Sequence, residues 1–296
     1  MKELVVISGK GGTGKTSIVA ALASLAESVV LADCDVDAAD LHLVTEPQIE
    51  RRASFRAGRV AQIRQEQCIR CGVCQARCRF GAIQSFELGG SQTGYIIDPI
   101  SCEGCGVCVH FCTARAIDFP EKTCGRWFIS HTRYGPMVHA RLGIAQDNSG
   151  KLVSLVRTEA KKIAEKQNRD LVLIDGSPGI GCPVIASMAG ASLVLIITEP
   201  TKSGLHDLDR VVQLAQHFQI PVLVAVNKFD INEEITGEVE AYCREHKLAS
   251  AGHIPYDVSF TQAQLAKQSI VEYDDGPTTS AIQTLWQNIQ KALWSN

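Results

Sequence analysis

Hydrophobic residues in this chain fall into short, nearly unbroken runs, separated by stretches with helical spacing. Leu4-Val5-Val6-Ile7, Val29-Val30-Leu31-Ala32, Leu171-Val172-Leu173-Ile174, residues 192–198 and Val222 to Val226 are such runs. They are rich in β-branched residues and bounded by polar or glycine positions, the pattern of strands buried on both faces. Between them, helical spacing covers about Lys15 to Ala26, Val156 to Asn168 and a segment reaching Phe218. Near the end, Ile282, Leu285, Trp286, Ile289 and Leu293 line one face of a further amphipathic helix. Residues 124–142 read as two short strands around a turn, and Asn148-Ser149-Gly150-Lys151 as another turn. Residues 41–60 lack either period. With Arg51, Arg52, Arg56, Arg59 and then Arg64 they read as a solvated basic linker, or else as a docking surface for an acidic redox partner.

Length and composition narrow this picture. With 296 residues, 45% of them hydrophobic, the chain can build one sizeable α/β core and a small second domain. A net charge of −3 gives no general reason to expect a nucleic-acid or anionic-membrane partner. No stretch approaches the roughly 20 apolar residues of a membrane span. The last helix has a Gln/Asn-rich polar face with Lys291 as its cation, so it is expected on the sheet rather than on a membrane. The 12 cysteines would suggest disulfides in a secreted chain. Their spacing favours metal and the start carries no secretion signal, so a reducing cytoplasm is the expected location.

Eight of the cysteines form two matching groups. Cys68, Cys71, Cys74 and Cys78 make a C-x2-C-x2-C-x3-C run, and Cys102, Cys105, Cys108 and Cys112 repeat it 34 residues later. The copies also share Gly72/Gly106, Val73/Val107, Ala82/Ala116 and Ile83/Ile117. This is the ligand spacing of a bacterial-type ferredoxin with two [4Fe–4S] clusters, in which the fourth cysteine of each run serves the other cluster. One cluster is therefore expected on Cys68, Cys71, Cys74 and Cys112, the second on Cys102, Cys105, Cys108 and Cys78. Four-cysteine zinc sites typically use two separated C-x2-C pairs, which a three-fold run fits poorly. Arg79 and Thr113 stand where many such ferredoxins have proline, which alters the local turn without removing a ligand.

A second motif opens the chain. Gly9-Lys10-Gly11-Gly12-Thr13-Gly14-Lys15-Thr16, followed by Ser17, lies between the first strand and the first helix. In that context it reads as a phosphate-binding loop: backbone N–H groups and the helix N-terminus face phosphate oxygens, Lys15 reaches the β- and γ-phosphates, and Thr16 ligates Mg²⁺. Val29 to Ala32 lead into Asp33-Cys34-Asp35-Val36-Asp37 at the strand edge where ligands bind in open α/β sheets. Asp35, with Asp37 next, can orient the attacking water or hold metal-bound water. Asp33 and Asp40 read as caps or surface groups. The strand ending at Asp175 supplies a Walker B-like carboxylate for Mg²⁺.

The glycine loop with its early Lys10 resembles the deviant Walker A loop of the MinD/ParA superfamily, which includes Mrp-type iron–sulfur carriers and the nitrogenase iron protein. The resemblance extends over most of the chain and implies a doubly wound, mainly parallel P-loop NTPase sheet interrupted by an α+β ferredoxin-like domain. The implied boundaries are 1–60 and 120–296 for the ATPase parts and 61–119 for the insert. It implies ATP and Mg²⁺ as ligands, hydrolysis to ADP, and an ATP-bound homodimer in which Lys10 reaches the partner's nucleotide. Asp35 would fall in switch I and Gly176 to Pro183 in switch II, although Gly176-Ser177-Pro178 departs from the usual Thr-Pro-Pro. Asn227-Lys228-Phe229-Asp230 is similar to the Asn-Lys-x-Asp of GTPases, but in this superfamily the Asn faces adenine. Asn227 is therefore assigned to the base with GTP left open, and Pro255 to the lining of the base pocket.

Three functions fit these motifs. The first is an ATPase whose switch cycle gates electron transfer to a redox partner. The second is an iron–sulfur cluster carrier, and the third a MinD-like positional switch with sensing or structural clusters. The other four cysteines, Cys34, Cys124, Cys182 and Cys243, read as packing residues.

Overall fold

The computed structural model describes residues 1–89, 92–143 and 149–294. The chain divides into two compact units. One comprises Met1–Ala53, Arg126–Leu142 and Ser149–Asn296, and the other is built from Ser54–Gly125.

The larger unit is laid around a parallel sheet. The strands of this sheet are β1 (Lys2–Ser8), β2 (Val29–Asp33), β3 (Gln48–Arg59), β8 (Glu121–Thr132), β9 (Gly135–Leu142), β10 (Leu171–Asp175), β11 (Leu193–Thr198), β12 (Val222–Asn227) and β13 (Ala249–Ile254), with residues 54–59 of β3 and 121–125 of β8 counted in the smaller unit. Their order is β13-β12-β11-β1-β10-β2-β9-β8-β3. The pairs from β13 through to β9 are parallel, with Val5 of β1 level with Ile174 on one side and Val194 on the other. β1 sits in the middle, so the loop after it opens between β10 and β11. β1 is buried from Leu4 to Ser8, and β2 and β10 throughout. Continuous apolar runs are what a sheet covered on both faces requires.

Helices α1 (Lys15–Leu25), α5 (Ser149–Lys166), α6 (Cys182–Met188), α7 (Lys202–His217), α8 (Glu233–Glu245) and α11 (Pro277–Trp294) alternate with these strands, along with the shorter α2 (His42–Thr45), α9 (Ser259–Leu265) and α10 (Ile270–Tyr273). α11 buries Ile282, Leu285, Trp286, Ile289 and Leu293 in the same core cluster as Leu4, Ile18 and Leu22. The apolar face that a membrane would need is therefore spent on the protein interior. Among the described residues no helix is long and apolar enough to cross a membrane.

Three local expectations change. Residues 41–60 are not a linker: they form α2 and the 12-residue β3. Only Phe55 of β3 is fully buried, so no apolar alternation marks the strand, and its arginines suit an unpaired sheet edge. The two strands of 124–142 are longer than their sequence signal, reaching Glu121–Thr132 and Gly135–Leu142. The turn at 148–151 is corrected in part: Asn148 lies outside the described residues, and Ser149, Gly150 and Lys151 already belong to α5.

The smaller unit holds β4 (Gln62–Ile63), α3 (Val73–Arg77), β5 (Ile83–Glu87), β6 (Thr93–Ile97), α4 (Val107–His110) and β7 (Ile117–Asp118). β4 pairs with β7 and β5 with β6, both antiparallel. The sequence repeat is a structural repeat. Gly72 (φ 72°) starts α3, and Gly106 (φ 75°) starts α4. Two residues earlier, Arg70 (φ 59°) and Gly104 (φ 62°) occupy the same left-handed position. At Gly104 the glycine is obligatory, because a Cβ there would lie 2.2 Å from the Arg59 carbonyl oxygen. The small core is Ala61, Ile83, Ile97 and Ile117, with Cys74, Cys78, Cys102, Cys108 and Cys112 packed against it.

Candidate nucleotide site and cysteine cavities

The loop between β1 and α1 wraps a cavity of about 650 Å³, counting its open mouth, lined by Ser8, residues 11–17, Asp35, Ala38, Asp40 and Pro178. Gly14 precedes α1 at φ 85°, and no side chain caps the helix, which leaves its first N–H groups directed at the loop. A Cβ at Gly14 would lie 2.5 Å from Asn227 Nδ2. Together the free N–H groups and the glycine turn form an anion cradle.

Carboxylates from two adjacent strands meet Lys15 behind this cradle. Lys15 Nζ is hydrogen-bonded to Asp175 Oδ1 and lies 3.7 Å from Asp35 Oδ2. Burial alone would lower the Lys15 pKa, but the Asp175 carboxylate outweighs it and the ammonium is held above its ordinary value. Asp35 is pushed up to about 6, chiefly by burial, against the pull of Lys15. Asp33 is raised well above its ordinary value, by burial first and then by Asp175. One oxygen each of Asp33 and Asp175 is buried without a hydrogen-bond partner among the described residues, as is the Thr13 hydroxyl. Buried acceptor oxygens left unpartnered beside a phosphate cradle suit a hard cation that takes oxygen ligands, so the donor set fits Mg²⁺.

The other expected site residues take up distinct positions. Thr16 and Ser17 line the cavity, whereas Asp37 is exposed and does not. Asn227 is buried and turned onto the loop: its Nδ2 donates to Thr13 O at 2.7 Å and its Oδ1 accepts from Lys228 N–H. Neither Asn227 nor Pro255 is part of the cavity lining. Lys10 is folded back on its own chain, 2.6 Å from Glu199 Oε1 and hydrogen-bonded to Thr201 and Ser203 hydroxyls. Burial would raise the Glu199 pKa, but the Lys10 hydrogen bond and charge carry it below the usual value.

Three residues carry more than the sequence suggested. Asp33, read as a cap or surface group, is wholly buried beside Asp175. Glu199 anchors both Lys10 and Lys228. It stands just past the end of β11, and a carboxylate at the end of a central strand was the signal available for it. Ser177 donates its hydroxyl to Cys34 O at 2.8 Å, tying the segment after β10 to the end of β2. Nothing in the local sequence announces that bond.

In the smaller unit two further cavities appear, of about 380 and 360 Å³ counting their mouths. Cys68, Cys71, Cys74 and Cys112 line the first, with Ile63, Tyr95, Phe111 and Ile117 among their neighbours. Cys102, Cys105, Cys108 and Cys78 line the second, with Phe80, Ile83, Ile97 and Phe119. Each cavity thus takes three cysteines from one run and the fourth from the other. Among the described residues no three His, Cys, Asp or Glu side chains converge as a single-ion site. The cysteines surround spaces with apolar walls instead. Burial and the neighbouring Cys68 and Cys71 thiols push the Cys74 thiol up, and burial and Cys102 do the same at Cys108.

Comparison with known proteins gives the family. The CobQ/CobB/MinD/ParA nucleotide-binding domain matches residues 4–270. The chain belongs to this family. A Methanocaldococcus jannaschii relative described as uncharacterized is 34% identical over 233 residues, covering 78% of this chain and 79% of that protein. A Pyrococcus horikoshii protein called an iron-sulfur cluster carrier is 26% identical over 138 residues, 42% of this chain and 46% of its own. Among solved structures, the septum site-determining protein MinD complexed with Mg-ADP from Pyrococcus horikoshii has a TM-score of 0.59 at 18% identity, covering 98% of this chain and 96% of that one. At that identity the likeness is one of fold. The family is one of nucleotide-binding domains, and the glycine cradle with Lys15 lies within the matched residues.

Proposed function

We propose that the chain is a Mg²⁺-dependent ATPase whose nucleotide cycle is coupled to electron transfer by two [4Fe–4S] clusters in the smaller unit. The observation that carries this reading is the pair of four-cysteine cavities, each drawing its fourth thiol from the other run. Crossed ligation of this kind belongs to two-cluster ferredoxins. All-thiol donors and apolar walls fit an iron–sulfur cube. Such clusters, when bound, supply one-electron redox chemistry.

At the nucleotide site, Lys15 would leave Asp175 for the β- and γ-phosphates, and Thr16 with Asp175 would hold Mg²⁺. Asp35, facing the same cavity, would position the attacking water. Loss of the γ-phosphate would be sensed through the Ser177–Cys34 bond, which links the two strand ends that carry the carboxylates. Releasing Lys10 toward a partner copy's nucleotide would require breaking its ion pair with Glu199. An ATP-bound homodimer follows from that role.

Anaerobic redox-monitored EPR on iron- and sulfide-reconstituted protein tests the reading. Two [4Fe–4S] signals whose potential shifts with Mg–ATP are expected. Two signals indifferent to nucleotide would reduce the clusters to sensing or structural parts, and failure to find two clusters would remove the basis of the proposal. The relative named as an iron-sulfur cluster carrier favours a second reading, in which the clusters are cargo. Ready transfer of cluster iron to an apo-ferredoxin would establish it instead.

A further inference from the structure

Apart from the nucleotide site, the larger unit contains a recess of about 640 Å³, lined by α2, the strands β3, β8 and β9, and Lys267. Three arginines face it from three neighbouring strands: Arg52 on β3, Arg126 on β8 and Arg141 on β9. His42 and Lys267 also line it. Among the described residues Glu46 is the one carboxylate in the lining, and it is held by Lys267 at 2.8 Å.

The register makes this arrangement costly. β8 and β9 are joined by the two-residue turn Arg133-Tyr134, and the Thr132 hydroxyl donates to Gly135 O at 2.7 Å. Counting back from that turn places Phe128 opposite His139 and Arg126 opposite Arg141. The rings of Phe128 and His139 stack at 5.0 Å, as that register demands. Two like charges directly opposite on one sheet face destabilise the pairing, so a hairpin selected for stability alone would not place them there. Nearby, His139 is held down to about 4, by burial first and then by His42 and Arg141. Local rules broken in this way are expected at functional or strained sites.

We propose that this recess is a binding site for a small organic polyanion, a molecule carrying two or more carboxylate or phosphate groups. Arg126 and Arg141 form the centre of the site, since guanidinium forks match both groups bidentately. Phe128, Leu43 and Ile49 give it an apolar side, and Leu43 and Ile49 are 50% and 40% exposed. A free small molecule, rather than an acidic protein, suits a concave space of this size. The recess also borders the segment after β2: Ala39 lines it, while Ala38 and Asp40 line the nucleotide cavity. The proposal is independent of whether the smaller unit carries clusters.

Isothermal titration of the full chain with inorganic pyrophosphate, and separately with tricarballylate, tests this in divalent-free buffer at fixed ionic strength. Expected is a saturable site for at least one probe, weakened about 10-fold or more by Arg126→Gln and by Arg141→Gln. A preference for pyrophosphate would assign the site to phosphates, and one for tricarballylate to carboxylates. Absence of binding, or binding that both variants leave unchanged, overturns the proposal, because the glycine loop would then account for any anion uptake. Thermal melts without probe give a second readout. Either variant should melt higher than the parent, because it removes the opposed charges, and a lower melting temperature in both would mark the arginines as structural and defeat the proposal.

Discussion

Asn227 donates a side-chain N–H to the main-chain oxygen of Thr13 across 2.7 Å, joining residues 214 positions apart. The bond braces the glycine loop from below, and a Cβ at Gly14 would collide with the same amide. Asn227→Ala leaves Thr13 O buried without that donor, which costs about 1–3 kcal/mol. Nucleotide binding should therefore weaken about 10-fold, and equally for ATP and GTP, since the loop rather than the base loses its support. Fluorescent-nucleotide competition with both ligands measures this. A loss confined to ATP would return Asn227 to reading the adenine.

Lys15 neutralises a buried group of carboxylates. Lys15→Ala strands Asp175 as an uncompensated buried charge, and unfolding without nucleotide should become easier by about 3 kcal/mol. Lys15→Ala combined with Asp175→Asn should recover most of that loss while remaining unable to bind ATP. Urea unfolding of the three proteins separates the cases; equal stability of the single and double variants would contradict the ion pair.

Asp35 gives the nucleotide-free protein a distinct pH response. Its folded pKa of about 6 lies above its ordinary value near 3.8, so the folded state holds this proton more tightly than the unfolded chain. That contribution is fully present below pH 4 and is lost as the pH rises through 6. Asp35→Asn should thus flatten the fall in stability between pH 4 and 6 relative to the parent. Denaturation midpoints of the two proteins across that range check the sign. In the same interval Mg–ATP binding by the parent should strengthen with pH, as the carboxylate becomes available.

The crossed cavities make a prediction from pairs of cysteine variants. Cys68→Ser with Cys112→Ser strikes one cavity twice and should leave one [4Fe–4S] cluster, about half the iron. Cys68→Ser with Cys78→Ser strikes both cavities and should remove both clusters. Iron and sulfide assays on the two double variants decide it. The opposite ranking would mean that each run serves its own cluster.

How far the sequence could be read depended on where the signal lay. β1, β2 and β10 are buried on both faces, so their apolar runs are continuous and their limits were legible to within a residue or two. β3 was taken for a linker because Gln48–Arg59 is almost wholly exposed, and an exposed edge strand has no hydrophobic alternation to detect. Asp33 was undervalued for a related reason. One strand-end aspartate looks like another until the neighbouring strand arrives, and only the β2–β10 register sets Asp33 level with Asp175. The place of Lys15 in the loop cavity and the sorting of the eight cysteines between two cavities were legible from their spacing. The partner of Lys10 was not, since Glu199 approaches from 189 residues further along and no local pattern encodes that return.

The left-handed position shared by Arg70 and Gly104 carries a consequence for how the duplicated half-domain can be rebuilt. The two copies look interchangeable on paper, yet Gly104 has the Arg59 carbonyl 2.2 Å from where a Cβ would stand. Grafting Glu-Gly from the second loop into the first puts Glu at the exposed Ile69 position and gives up the Arg70–Gln92 hydrogen bond, but drives nothing into backbone. The reverse graft, Ile-Arg into the second loop, drives a carbon into backbone. A symmetrised version of this unit can therefore be assembled from two second-half loops but not from two first-half loops. The repeat can be exchanged in one direction only.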